Sequence, residues 1–115
     1  MEKFPRVKKI YYADFSYGMS RLSSYIVEQE TERTYTIKRD SQEDLIAHVL
    51  YVPDRLRKAD SSVFESLSDA LNYLINESIE YRNRLSRDLE NAESNIKELQ
   101  IILKENNNGP TQTQD

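Results

Sequence analysis

The sequence predicts an α+β fold in which an N-terminal antiparallel β-meander is followed by one long amphipathic helix. Residues 1–58 are rich in β-branched and aromatic residues, which suit the pleated surface of a sheet. Residues 62–106 contain neither Gly nor Pro, and their apolar residues recur every three or four positions. We therefore expect a sheet over residues 1–58, a helical segment of the same domain over 59–106, and a disordered tail over 107–115.

Alternation and turn-forming residues define the predicted sheet. In residues 34–38 polar and apolar residues alternate, which predicts a sheet with one solvated face. Tyr35 and Ile37 lie on the other face, which we expect the helical segment to cover. Short polar reversals between successive strands favour an antiparallel meander. The reversals are predicted at residues 16–19, 30–32 and 40–42, and the strands at residues 7–17, 22–28, 34–39 and 45–52.

Two overlapping capping boxes mark the predicted helix start. Ser62 with Glu65, or Ser66 with Asp69, would satisfy the free backbone N–H groups of a first turn. The run of Asn followed by Gly109 and Pro110 predicts the helix end. The apolar seam between these limits consists of Leu67, Leu71, Leu74, Tyr81, Leu85, Leu89, Ala92, Ile96, Leu99 and Leu103.

The predicted helix is too long for its own sheet to cover. Roughly 40 residues of α-helix measure roughly 60 Å. Either the helix breaks near Ser86 or near residues 91–92 and folds back as a hairpin, or it stays continuous and pairs with the same helix of another subunit. Helical hairpins usually carry a Gly or a polar loop, and none is present here. The pattern therefore favours a continuous helix with coiled-coil-like pairing in a homodimer or a higher homo-oligomer.

Composition excludes several classes of protein. The chain has no Cys and one His, which excludes disulfides, thiolate chemistry and sites built from several histidines. A net charge of −4 does not favour binding to duplex nucleic acid or to an anionic membrane. No apolar leader or membrane-spanning run is present, and His48 lacks the Ser or Cys pattern of a nucleophilic site. We expect a cytoplasmic, non-catalytic protein without a metal or cofactor.

A basic segment at the junction is the main candidate for ligand binding. The first 58 residues contain 11 basic and 9 acidic side chains, whereas the rest contain 5 and 11. Arg55, Arg57 and Lys58 precede the predicted helix start, where unpaired N–H groups favour an anion. Phe64 could stack on a purine. The alternative is a solvated linker whose cations pair with neighbouring acidic residues.

A second candidate lies on the predicted helix. Asn72, Asn76, Asn83 and Arg87 share one helical face, at spacings of four, seven and four. Amides can read the edge of a base, and a guanidinium can bind phosphate. The same face can equally be the solvated back of a coiled coil, supported by ion pairs four residues apart.

The order of a small sheet, a basic junction, a capped long helix and a short tail in a chain without Cys resembles the phage-encoded anti-Thoeris sponge proteins. Those proteins sequester a cyclic ADP-ribose messenger of bacterial immunity. The resemblance covers the order and size of elements over residues 7–105. It implies helix-paired dimers that hold the ligand between subunits without turning it over, in the host cytoplasm. Arg55, Arg57, Lys58 and Phe64 are assigned to phosphates and adenine by their chemistry.

Two hypotheses follow from the sequence. The first is a protein that sequesters a nucleotide-type signalling molecule. The second is a small coiled-coil module for protein–protein interaction, in which the sheet is only a head. A hydrolase is a distant third, because no residues that could activate water are grouped in the sequence.

Overall fold

The computed structural model describes residues 7–108. The chain divides into two compact units, one that ends at Ile79 and one that begins at Glu80. The division falls within the long helix.

Five antiparallel strands and one helix make up the described chain, which confirms the predicted α+β meander. The strands form one sheet in the order β4-β3-β2-β1-β5. The elements are β1 (Lys9–Ser16), β2 (Met19–Glu30), β3 (Thr34–Ile46), β4 (Arg55–Arg57), β5 (Val63–Phe64) and α1 (Leu67–Asn108).

The sheet is curled, because its two edge strands are joined by a very short connection. Two consecutive turns link β4 to β5: the amide of Asp60 donates to the Arg57 carbonyl, and the amide of Val63 donates to the Asp60 carbonyl. Each turn spans less than about 7 Å, so the connection reaches about 14 Å at most. A flat five-stranded sheet would separate its edges by about 19 Å. The sheet therefore bends its β4 edge towards its β5 edge.

Both faces of the sheet are apolar. The first core cluster contains Ile10, Tyr25, Tyr35, Ile37, Val49, Val52 and Leu56. The second contains Ala13, Leu22, Ala70 and Leu74, so it is the face that the start of α1 covers. Ile10 and Ala13 enter opposite clusters because side chains alternate along β1.

The predicted alternation in β3 is confirmed, but the residues that cover its apolar face are not those expected. Tyr35 and Ile37 are both buried on one face. That face is covered by Val49, Val52 and β4 rather than by the helix. A sheet with one solvated side was therefore the wrong expectation, because the meander is covered on two sides.

The predicted reversal at residues 40–42 is wrong, because β3 continues through these residues. Ile26 pairs with Lys38 while Ser24 pairs with Glu43, so extra residues bulge from β3. The Ser41 hydroxyl accepts a hydrogen bond from the Ile26 amide at 2.9 Å and donates to the Lys38 carbonyl. The Ser41 side chain takes the place of backbone hydrogen bonds between β2 and β3. The polar residues therefore form a bulge within β3 and do not end the strand.

The predicted strand over residues 45–52 is also wrong. Only Leu45 and Ile46 belong to a strand, and the following residues form a loop in which Ala47 and Tyr51 adopt positive φ angles of 52° and 58°. The Val49 amide donates to the buried Ser23 hydroxyl at 3.4 Å. Side-chain hydrogen bonds and burial of two valines thus hold an apolar segment that has no strand partner.

Helix α1 is continuous, which eliminates the hairpin alternative. It begins at Leu67, and the Asp69 amide donates to the Ser66 hydroxyl at 3.2 Å, so the second of the two capping boxes is the one used. The helix includes Asn107 and Asn108, which were expected in the tail. The rest of the predicted tail, residues 109–115, lies outside the described residues.

Candidate anion-binding surface

The turn between β2 and β3 and the edge strand β4 bring three cations to one surface. Arg33, Arg57 and Lys58 line a depression of about 560 Å³, which we call the Arg33 depression. Thr34 pairs with Arg57 in the sheet, and the Lys58 amide donates to the Arg33 carbonyl at 2.8 Å. Glu32, Thr34 and Ala59 complete the lining. The backbone ladder therefore sets the spacing of the three cations.

The turn that carries Arg33 is held by a threonine. The Thr31 hydroxyl accepts hydrogen bonds from the amides of Arg33 and Thr34, at 3.2 and 3.0 Å. The Thr31 amide in turn donates to the Thr34 carbonyl at 2.9 Å. These bonds fix the turn at the mouth of the depression and confirm the predicted reversal at residues 30–32.

The three cations are not equally available to a ligand. Lys58 Nζ lies 2.5 Å from a Glu30 carboxylate oxygen, so its charge is matched within the protein. Arg33 and Arg57 form no ion pair with any other residue between positions 7 and 108. Of the three cations that line this depression, the two guanidinium groups are therefore the ones without an ion pair in the described chain.

Lys58 belongs to a compact charge cluster above a buried ring. Lys8 Nζ lies 3.1 Å from Glu30, and the Lys8 and Lys58 ammonium groups lie 5.0 and 4.9 Å from the centre of the Tyr35 ring. Lys8 also lies 3.6 Å from Glu65. The hydrogen bonds from Lys58 and Lys8 lower the pKa of Glu30, and the bond to Glu30 raises the pKa of Lys8. Glu30 thus stays ionised and holds both lysines over Tyr35.

Arg55 lies on the same exposed side of β4 as Arg57, because Leu56 between them points into the core. Arg55 and Arg57 line a second depression of about 300 Å³ together with Pro53 and Asp60. In the alternative interpretation of the sequence these cations pair with neighbouring acidic residues, but Asp54 instead accepts a hydrogen bond from Arg39 Nε at 2.7 Å. Arg55 is therefore a neighbour of the Arg33 depression but not part of its lining.

The structure places Phe64 apart from the predicted phosphate cations in the sheet order. It lies in β5, where it pairs with Tyr11, and its ring centre is 5.4 Å from that of Tyr73. Phe64 packs against the second core cluster. Its aromatic face is thus engaged with the helix start, and it does not line the Arg33 depression.

The sequence predicts that the helix N-terminus contributes to the anion site, because the cations precede the helix start. Nine positions separate Lys58 from the first helical residue, Leu67, and β5 lies between them. In the first turn, the Asp69 amide is capped by the Ser66 hydroxyl. The Arg33 depression is accordingly built from a hairpin turn and an edge strand, without the helix start among its lining residues.

The four helix residues of the second candidate surface are all exposed on α1. Asn72 and Asn76 lie in the first compact unit, and Asn83 and Arg87 lie in the second. Asn83 accepts a hydrogen bond from Arg82 at 3.4 Å.

A polar network around His48 was missed by the sequence analysis. Asp44 accepts hydrogen bonds from Ser23 at 2.9 Å and from Gln42 at 3.1 Å, and lies 3.1 Å from His48 Nδ1. The bonds from Ser23 and Gln42 lower the pKa of Asp44. Because the serine donates to the carboxylate and not to the imidazole, the order is not that of a catalytic triad. The network instead ties β2 and β3 to the loop that carries Val49.

Arg33 and Glu30 are the site residues that sequence reasoning did not find. Glu30 falls in the predicted reversal at residues 30–32, and Arg33 follows it without a sequence pattern that marks a binding site. The alternation Arg55-Leu56-Arg57 was the available signal, because a short strand there must pair with a neighbour and bring its cations to that neighbour's turn. That pairing is non-local and could not be read from spacing.

Two further findings bear on the chemistry of the described chain. Within residues 7–108, no three His, Asp or Glu side chains are grouped so that they could hold a metal ion. No helix in that range is both long and apolar enough to traverse a bilayer.

Comparison with protein-family models, with curated proteins and with solved structures gave no match to this chain.

Proposed function

We propose that this chain is a non-catalytic binding protein that sequesters a nucleotide-type anion, with the Arg33 depression as the phosphate site. The proposal includes the cyclic ADP-ribose class of ligand that the resemblance to anti-Thoeris sponges implies. It also includes action as a homodimer or a higher homo-oligomer in the cytoplasm.

The observation that carries the proposal is the pair Arg33 and Arg57. Both line one depression, and neither forms an ion pair within residues 7–108. Arginine offers planar forks that match two phosphate oxygens, so two such groups suit a diphosphate better than a single carboxylate. The depression, at about 560 Å³, is within the size range of small-molecule sites.

The two arginines support recognition of the phosphates of a nucleotide and do not account for recognition of its base. Phe64, the expected stacking surface, is packed against Tyr73. The base of a bound nucleotide would therefore lie outside the Arg33 depression, where a second subunit can supply contacts.

Calorimetric titration with cyclic ADP-ribose, ADP-ribose and ADP tests the proposal. We expect Arg33→Ala and Arg57→Ala each to weaken binding by about 10- to 100-fold, because each removes charge-assisted hydrogen bonds. Arg87→Ala tests the second candidate surface on α1, and it should leave affinity unchanged if the Arg33 depression is the phosphate site. The proposal is overturned if none of the three probes binds, or if Arg87→Ala abolishes binding while Arg33→Ala does not.

The exposed apolar residues of α1 favour a second candidate function, a coiled-coil interaction module. Leu89, Leu99 and Leu103 are 56–60% exposed on this helix. Such a module would associate through the helix and would release no heat with any of the nucleotides. Leu99→Glu should then abolish association, whereas Gln100→Glu should not.

A further inference from the structure

The second compact unit carries an apolar stripe with no partner among the described residues. Its members are Leu85, Leu89, Ala92, Ile96, Leu99 and Leu103, and the five large side chains are 50–60% exposed. The steps between them alternate four, three, four, three and four. This is the spacing of heptad positions a and d, which form the seam of a coiled coil.

The stripe is complementary to itself when two copies run in opposite directions. In antiparallel coiled coils an a position of one helix faces a d position of the other. Leu85 then faces Leu103 of the second copy, Leu89 faces Leu99, and the small Ala92 faces the large Ile96. The two middle layers, each of one Ala and one Ile, are smaller than the Leu pairs around them, but no layer contains two small side chains.

A parallel pairing would be less well matched. Ala92 would face Ala92 of the second copy in one layer, and Ile96 would face Ile96 in the next. A layer of two small side chains would then lie next to a layer of two large ones. The flanking Asp88 would also meet Glu93 of the second helix twice. The antiparallel arrangement has one acidic contact instead, between the two copies of Glu93, and it opposes the helix dipoles.

The length of the stripe agrees with this arrangement. The layer pairing sets Glu80, the first residue of the second unit, opposite Asn108, the last described residue of the helix. The whole of residues 80–108, about 43 Å of helix, would then be covered by the same residues of the second copy.

We infer that residues 80–108 of α1 pair antiparallel with the same residues of a second copy of this chain. The inference rests on the homodimer of the proposed function and adds its orientation and register. It does not depend on which ligand the Arg33 depression binds.

The absence of native Cys makes a crosslinking test clean. Leu89→Cys and Leu99→Cys variants are prepared separately, and each is treated with a short bismaleimide alone and after mixing. We expect crosslinked dimers only in the mixture, because residues 89 and 99 face each other while the two copies of residue 89 are offset by about 15 Å. Glu90→Cys and Lys97→Cys, on the outer side of the helix, are the controls and should not crosslink.

A second measurement covers the case in which a seam variant fails to pair. A spin label at Lys104→Cys leaves the seam intact, and the two labels should be about 30 Å apart along the axis in the antiparallel dimer. Crosslinking of each seam variant with itself, or a much shorter label distance, would overturn the orientation and leave the homodimer standing. A wild-type chain that sediments as a monomer would overturn both.

Discussion

Lys58 Nζ and a Glu30 carboxylate oxygen lie 2.5 Å apart, so one of the three cations of the Arg33 depression is already paired. The pair also joins β4 to the end of β2, two strands that are not neighbours in the sheet. Tyr35, on the intervening strand, lies beneath it, with its ring 4.9 Å from the ammonium. The lysine thus acts as a structural tie across β3, which leaves the arginines for a ligand.

Replacing Glu30 tests this tie. We expect Glu30→Gln to lower the urea midpoint at pH 7, because two ammonium groups lose their partner. Since the folded protein lowers the pKa of Glu30, its stabilisation is present at neutral pH and is lost as the pH falls below about 4. The difference between wild type and variant should therefore shrink at pH 3. Glu32→Gln is the control, and an equal difference at both pH values would contradict the prediction.

The network around Asp44 should control how firmly the loop over residues 47–54 is held. Asp44→Ala removes the acceptor for Ser23 and the neighbour of His48. We expect faster hydrogen exchange at the amides of Val49 and Val52, because the loop has few backbone bonds of its own. The pKa of Asp44 is lowered in the folded protein, so the wild type should approach the variant only at a pH below the usual range of an aspartate, where Asp44 becomes protonated. Exposed Asp40→Ala should leave exchange unchanged.

The fold class and the long helix could be predicted because they depend on local patterns. The absence of Gly and Pro over residues 62–106 and the regular apolar spacing both act within a few residues. Ser41 shows why the strands were harder to predict: its hydroxyl bridges the backbone of β2 and β3, so a polar segment typical of turns stays within a strand. Val49 shows the converse, because an apolar segment typical of strands is buried in a loop.

The candidate site was predicted in part for a similar reason. Arg57 and Lys58 were found from their clustering in sequence, which is local. Arg33 lies beside them because Thr34 pairs with Arg57. Phe64 does not lie with them in the sheet, because β5 pairs with β1. Long-range strand pairing thus decides which charged side chains share a surface.

The burial of Leu56 gives a direct test of β4 as a core strand. Leu56 is almost fully buried between two exposed arginines. We expect Leu56→Ala to lower the free energy of unfolding by about 2–5 kcal/mol, because it removes buried methyl groups and leaves a cavity. Leu50→Ala, at an exposed position in the preceding loop, should change it by less than about 0.5 kcal/mol. Equal effects in a urea titration would show that residues 55–57 do not pack as a strand.

The helix start at Ser66 can be tested by removing its cap. Ser66→Ala deletes the hydroxyl that accepts the Asp69 amide, and we expect a loss of about 1 kcal/mol in the free energy of unfolding. The loss should appear in the cooperative transition of the sheet, because Ala70 and Leu74 of the first turns pack against Ala13 and Leu22. Ser68→Ala, one residue inside the helix and exposed, is the matched control and should be neutral or slightly stabilising, because alanine has the higher helix propensity. A loss in the control equal to that in Ser66→Ala would mean that the helix does not begin where the capping hydrogen bond places it.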